Sequence, residues 1–469
     1  MRTKYIFILI LCFNASIAQN KIPEAKQFLS FKEYLGYVKK HHPLIKQANL
    51  KLSIGEASLL KSRGGFDPKI EIDYDRKKFK GTEYFDQLNT IFKIPTWFGV
   101  EFKANFEQNS GVYLNPNLTV PDDGLYSAGV SFSLAQGLLI NDRMATLKKA
   151  KVFIKQTKAD KEMIVNDLIY KASLAYFKWF EASKELVIYT RFLDNAKIRF
   201  RGVKRNVELG EKAAIDSVEA TITLKNRKLN LEIAKLKTRK AMFEASNYLW
   251  VNSVPLEIQE NIMPKKPTEE TLSNSFFFKN RTEEQNVLVN HPKIRSLEAK
   301  IDEIDIDRYL KKNKLLPKID LQYNFLSSDV NQLNTFKTAN YKAFLNFSFP
   351  LFLRKERGDL KLAKLKLQEA NFKLISTSLK IQNKINAIVS ELYSLEKQNT
   401  LIDTIVTDYS LMLSAEERKF QLGESSLFLI NSREQKLISA ELKANSLMVK
   451  RLKANASLYN AYGFYSVDD

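Results

Sequence analysis

Cysteine is almost missing from this chain. Of 469 residues only Cys12 carries a thiol, so a disulfide framework or a cysteine-ligated metal site is excluded. Long apolar runs are missing as well, since no stretch past the first residues reaches the ~18 uninterrupted apolar positions of a membrane-spanning helix. A membrane location would therefore require a β-barrel, the other architecture that satisfies every backbone polar group in lipid. Histidine is scarce: His41, His42 and His291 lie beside prolines that open helical stretches, where a capping role is favoured over metal binding. No Gly-rich phosphate loop is present, so the chain has no means of drawing energy from a nucleotide. No catalytic constellation, cofactor site or metal site is expected.

What is present begins with a leader. Arg2 and Lys4 precede the apolar run Tyr5 to Phe13, and Ser16 and Ala18 occupy the small positions a signal peptidase reads. Residues 1–18 are therefore expected to be cleaved before Gln19. Cys12 lies inside the leader, and lipid attachment there is disfavoured because Leu11, not a small residue, precedes it. The formal charge is +21, or +19 once Arg2 and Lys4 leave with the leader. Nucleic acid is not the expected partner, because the lysines are spread along every helical stretch and the chain is exported.

The chain also repeats itself. "HHPLIKQANLK" at residues 41 to 51 reappears as "NHPKIRSLEAK" at 290 to 300, and in both cases 25 residues separate the proline (Pro43, Pro292) from a second one (Pro68, Pro317). Eight of the fifteen glycines fall between Gly64 and Gly137, so turns are concentrated there. Within that region Ile70, Ile72 and Tyr74 alternate with polar residues. The same holds for Phe98, Val100, Phe102, Ala104 and Phe106, and for Ala128, Val130, Phe132 and Leu134. The second repeat supplies Ile319, Leu321, Tyr323, Phe325 and then Tyr341, Ala343, Leu345, Phe347, Phe349. Period two with aromatic residues signals strands. Strands of roughly ten residues flanked by aromatics fit a bilayer, with a lumen-facing set Glu71, Asp73, Asp75 and Asp320, Gln322, Asn324.

Long helices follow each strand group. Leu168, Ala172, Ala175, Trp179, Ala182 and Leu186 form a coiled-coil seam, and Leu360, Ala363, Leu367, Ala370 and Leu374 open an equivalent run. Nearly seventy residues would make a rod of about 100 Å. Matched breakers end both: Phe132 to Gly210 is 78 residues, Phe347 to Gly423 is 76. The expected organisation is a signal peptide (1–18), a first repeat (19–250, strands within 69–135, tip near 210), a connector (251–282) and a second repeat (283–469, hairpin 318–352, tip near 423).

This duplicated order of helix, strands and long helical hairpin resembles the TolC-like outer-membrane efflux protein family over the whole mature chain. The resemblance implies an α+β membrane protein: a trimeric outer-membrane β-barrel continued by a periplasmic α-helical coiled-coil barrel. It implies a passive exit duct in a tripartite efflux or type I secretion system, in the cell outer membrane and extending into the periplasm. The implied partners are two further copies, a periplasmic adaptor, an inner-membrane pump or ABC transporter, and outer-membrane lipid. An exported coiled-coil structural or adhesion protein without a lumen is the alternative. Four spanning strands per chain would give twelve in a trimer, but a surplus hairpin from about Thr82 to Glu107 leaves that count open.

By the same resemblance, Leu209-Gly210 and Leu422-Gly423 are the periplasmic tips that meet the adaptor. Asp216 and Glu219 lie one helical turn apart on one face, and threefold repetition would make them a carboxylate ring at the aperture. Asn431 and Glu434 have the same mutual spacing in the second repeat, two residues farther from their glycine.

Overall fold

The computed structural model describes residues 27–268, 271–272, 287–335 and 337–463. The leader reading and part of the connector lie outside the described residues. In chain order the elements used below are β1 (Gln27–Leu29), α1 (Phe31–His41), α2 (Pro43–Arg63), β2 (Lys69–Phe79), β3 (Thr82–Pro95), β4 (Val100–Ser110), β5 (Leu125–Ser133), α3 (Asp142–Glu208) and α4 (Ala214–Ser246). They continue with β6 (Trp250–Val251), β7 (Val254–Pro255), β8 (Ile262–Pro264), α5 (Pro292–Asn313), β9 (Lys318–Ser327), β10 (Tyr341–Ser348), α6 (Arg354–Gln421) and α7 (Leu427–Tyr462). The chain divides into two compact units that cut across the repeats, each drawing segments from both.

One unit comprises residues 47–163 and 283–382 and contains the sheet. Its six strands run in the order β10-β9-β5-β4-β3-β2, every neighbouring pair antiparallel. The surplus hairpin is thus not a separate excursion: β3 pairs with β2 on one side and β4 on the other. The β2–β3 turn uses Lys80 and Gly81, with φ of 51° and 79°, the left-handed pair that a two-residue hairpin demands. Gly129 in β5 permits the β5–β9 approach, since a Cβ there would stand 2.0 Å from the Tyr323 carbonyl oxygen and 2.4 Å from Asn324 Oδ1. At the helical end, Asn313 Oδ1 accepts from the Gly137 backbone at 2.8 Å and Lys149 pairs with Asp307 at 2.6 Å. Ile140, Met144, Ala145 and Leu310 form the apolar cluster beside them.

The other unit comprises residues 1–46, 164–282 and 383–469. Of the expected seam, Leu168, Ala172, Ala175, Trp179 and Ala182 are buried, and the small alanines let the helices approach closely. Phe31, Tyr34, Tyr176 and Phe177 pack ring on ring, with centroids 5.1 to 6.4 Å apart. The Tyr176 hydroxyl donates within reach of both the Leu29 and Lys265 carbonyls, at 2.8 Å each. It thereby ties the parallel β1–β8 pair to the helices.

The two phrases of the duplication have one structural role. His42 Nδ1 accepts from the Leu44 backbone at 3.1 Å, and His291 Nδ1 accepts from Lys293 at 3.0 Å. Each imidazole substitutes for the Asn or Asp that usually satisfies a first-turn amide, next to a proline preset for helix entry.

The second-repeat seam behaves differently. Only Ala363 is buried, while Leu360, Leu367, Ala370 and Leu374 are half-exposed. On the same helix α6, Leu365, Phe372 and Leu379 recur every seven residues and are exposed. Helix α4 repeats the pattern with Ile215, Ile222, Leu229, Leu236 and Phe243, all exposed at strict heptad spacing. Such stripes have the heptad spacing of coiled-coil seams, and the described residues leave them uncovered.

Candidate functional site: a two-faced sheet and two helical tips

Opposed residues in an antiparallel ladder share a face, so the registers sort every sheet residue. One face is apolar: Ile70, Ile72 and Tyr74 of β2 meet Phe92, Thr90 and Leu88 of β3. The same face continues through Phe102, Ala104 and Phe106 into Val130, Ala128 and Tyr126, then through Leu321, Tyr323 and Phe325 into Leu345, Ala343 and Tyr341. Many of these side chains are open to the surroundings, Leu345 at 67% and Ile70 at 68%. Apart from Thr90, the face turns polar toward the hairpin tip, where Gln108 stands across from Leu88 and Arg76 meets Asp86 at 3.3 Å. The exposed apolar band is about seven residues tall, roughly 20 to 25 Å, and rimmed by Tyr74, Tyr126 and Tyr341, the height and aromatic edging that a bilayer-facing sheet surface requires.

The opposite face is polar. Glu71, Asp73 and Asp75 stand across from Ile91, Asn89 and Gln87, and Asp320, Gln322 and Asn324 from Ser133, Ser131 and Gly129. All six residues expected to face a lumen therefore share one surface. Its charges are cross-linked: Lys93 with Glu71, Lys103 with Gln322 at 3.0 Å, Ser133 with Asp320 at 2.6 Å, and Arg143 with Glu101 at 2.6 Å. Phe85, Ile91, Pro95, Leu125, Leu326 and Phe344 are the apolar exceptions.

At the other site, Gly210 and Gly423 have φ of 78° and 80° and close two helical hairpins with the same pattern. Glu211 N donates to Asn206 O at 2.8 Å, and Glu424 N to Lys419 O at 2.9 Å. This is the six-to-one closure of a glycine-ended helix. Nothing lies within 4 Å of a Cβ at either glycine. Leu209 and Leu422 are exposed at 56% and 69%, so the tips present apolar side chains to the surroundings.

The four aperture candidates do not behave alike. Glu434 is fully buried, its carboxylate held by Arg199 and Arg227 at 3.0 Å each. Arg227 also donates to Gln435 at 2.7 Å, and Arg199 lies 3.3 Å from Glu417. Asn431 donates to Glu219 at 2.9 Å and stands 3.4 Å from Arg199. Glu219, Asn431 and Glu434 thus join one network, and Glu434 presents no open charge. Asp216 is half-exposed and has no side-chain partner among the described residues. Sequence reasoning missed Arg199 and Arg227. Their signal was faint: two guanidiniums among many lysines, although only arginine offers the planar fork that a buried carboxylate needs.

A six-stranded sheet with one apolar and one polar face, and long helices that bear exposed heptad stripes, are the parts of an outer-membrane channel fold. Residues 284–464 match the family model described as outer membrane efflux protein. The pyoverdine export outer membrane protein OpmQ of Pseudomonas aeruginosa is 21% identical over 358 residues, covering 75% of this chain and 73% of its own. Among solved structures, the CmeC outer membrane channel of Campylobacter jejuni superposes with a TM-score of 0.65 at 15% identity, over 93% of this chain and 86% of that one. The open state of the MtrE outer membrane channel of Neisseria gonorrhoeae gives 0.66 at 16%, over 92% and 88%. Residues 284–464 thus carry the outer membrane efflux protein domain, and over most of its length the chain is similar in sequence and fold to outer-membrane channels of the TolC-like kind.

Proposed function

We propose that the protein is the outer-membrane duct of a tripartite efflux or type I secretion system, passive and built from three copies. The two-faced sheet carries this reading: its apolar face is suited only to lipid and its polar face only to water, a division that a surface fibre without a lumen would not need. Six strands are fewer than the roughly eight that enclose an interior, so closure requires more than one chain. The unfilled heptad stripes of α4 and α6 are the matching surfaces between neighbouring copies. The tips at Leu209-Gly210 and Leu422-Gly423 are the docking points for a periplasmic adaptor, which in turn engages an inner-membrane pump or ABC transporter. Asp216, with Glu219 beside it, is the acidic residue that three copies would repeat around the aperture.

The test is fractionation and sizing. The native protein should sediment with the outer membrane and run as a trimer in mild detergent; recovery as a soluble monomer would overturn the reading. For the aperture, Asp216→Asn with Glu219→Gln should weaken cation selectivity in planar-bilayer recordings, and unchanged selectivity would place both carboxylates outside the lumen.

A further inference from the structure

We infer that the trimer of this reading closes through a seam between β2 of one copy and β10 of the next, giving one barrel of eighteen strands instead of twelve. The inference rests on the duct reading and adds which strands meet. β3 is joined to β4 by ten consecutive pairs, Asp86↔Ser110 to Pro95↔Glu101, so the β2–β3 hairpin is part of the wall. Both faces run on into β2 without a break, Ile70, Ile72 and Tyr74 on the apolar side and Glu71, Asp73 and Asp75 on the polar side. A hairpin standing clear of the bilayer has no use for that division. β2 and β10 are the two edges of the sheet, and every residue of both is exposed. Within lipid their outward amides and carbonyls need partners.

The edges fit each other. Six antiparallel strands leave β2 and β10 running in opposite directions, so the next copy continues the ladder antiparallel. With the strands matched from their helical ends, Ile70 faces Phe347, Ile72 faces Leu345 and Tyr74 faces Ala343 on the lipid side. On the lumen side the same register sets Asp75 opposite Lys342, a favourable cross-strand charge pair. Because diameter grows roughly linearly with strand number, the lumen is about half again as wide as that of a twelve-stranded barrel.

Cysteine pairs test the seam, since no cysteine follows Cys12. In one chain the two edges are five strand spacings apart, about 24 Å along the sheet, well past the ~7 Å reach of a disulfide. An Ile72→Cys, Leu345→Cys double variant, oxidised in membranes, should therefore run as a covalent ring of three on a non-reducing gel. A Phe102→Cys, Leu345→Cys variant joins copies only if β4 is the edge of a twelve-stranded barrel, and should stay monomeric on that gel. The reverse pattern overturns the seam while leaving the duct intact, as does a detergent-extracted trimer in which neither pair links. Electron microscopy of the unsubstituted trimer gives an independent count: eighteen strands in cross-section support the inference and twelve overturn it.

Discussion

At the scale of single residues, the buried carboxylate of Glu434 is the most consequential group outside the sheet. It is the shared ion-pair partner of two guanidiniums that have little access to water, with Arg227 at 4% exposure. Breaking such an arrangement from one side leaves uncompensated buried charge, which costs about 3 to 5 kcal/mol. Glu434→Ala should therefore lower the thermal unfolding midpoint of the purified protein sharply, and Glu434→Gln less, because the amide still accepts one of the two bonds. An Ala variant as stable as the parent would show that the arginines find water or other acceptors. His42 supplies a pH dependence. Burial, with a smaller opposing effect from a hydrogen bond at Asn247, holds its imidazole pKa below 6.5, and its Nδ1 must stay unprotonated to accept from Leu44. A folded pKa lying below the unfolded one gives stability that is present above about pH 6.5 and lost as the pH falls through the lowered value. Denaturant midpoints should fall between pH 7.5 and 5, and His42→Asn, which keeps an acceptor without titrating, should flatten that dependence.

At the scale of elements, the two glycine tips are held by backbone conformation alone, since no side chain crowds them. A β-branched residue at φ near +80° is strained by the clash of its own Cβ with the backbone. Gly210→Val with Gly423→Val should abolish export, measured as substrate retained in the cell, while the protein still reaches the outer membrane. Export at the parent level would mean that these turns do not engage the adaptor. Much of this level was legible in advance. The breakers, the strand alternation and the α3 seam are local patterns of period 2, 3.5 and 7, and Leu168 to Ala182 are buried as their spacing requires. The membership of β2 and β3 in one sheet with β9 and β10 was not legible, because pairing between β5 and β9 joins residues nearly two hundred positions apart and nothing local encodes it. The Glu434 network was hidden for the same reason, with Arg199, Arg227 and Glu434 on three different helices. The half-exposed positions of α6 show the converse, a seam visible in sequence that the other described residues leave half-covered.

At the scale of the whole molecule, the central claim is that one face of the sheet meets lipid and the other a water-filled lumen. Substituted-cysteine accessibility along β9 tests it most directly, because Lys318–Ser327 alternates between the two faces and no cysteine follows Cys12 to compete. With the trimer reconstituted in liposomes, cysteines at Asp320, Gln322 and Asn324 should react with a charged, membrane-impermeant thiol reagent. Cysteines at Ile319, Leu321 and Tyr323 should resist it and be quenched by a lipid-borne probe. Period-two alternation of both signals is the predicted result, and uniform reaction with the aqueous reagent at all six positions, with no lipid quenching, would contradict the account.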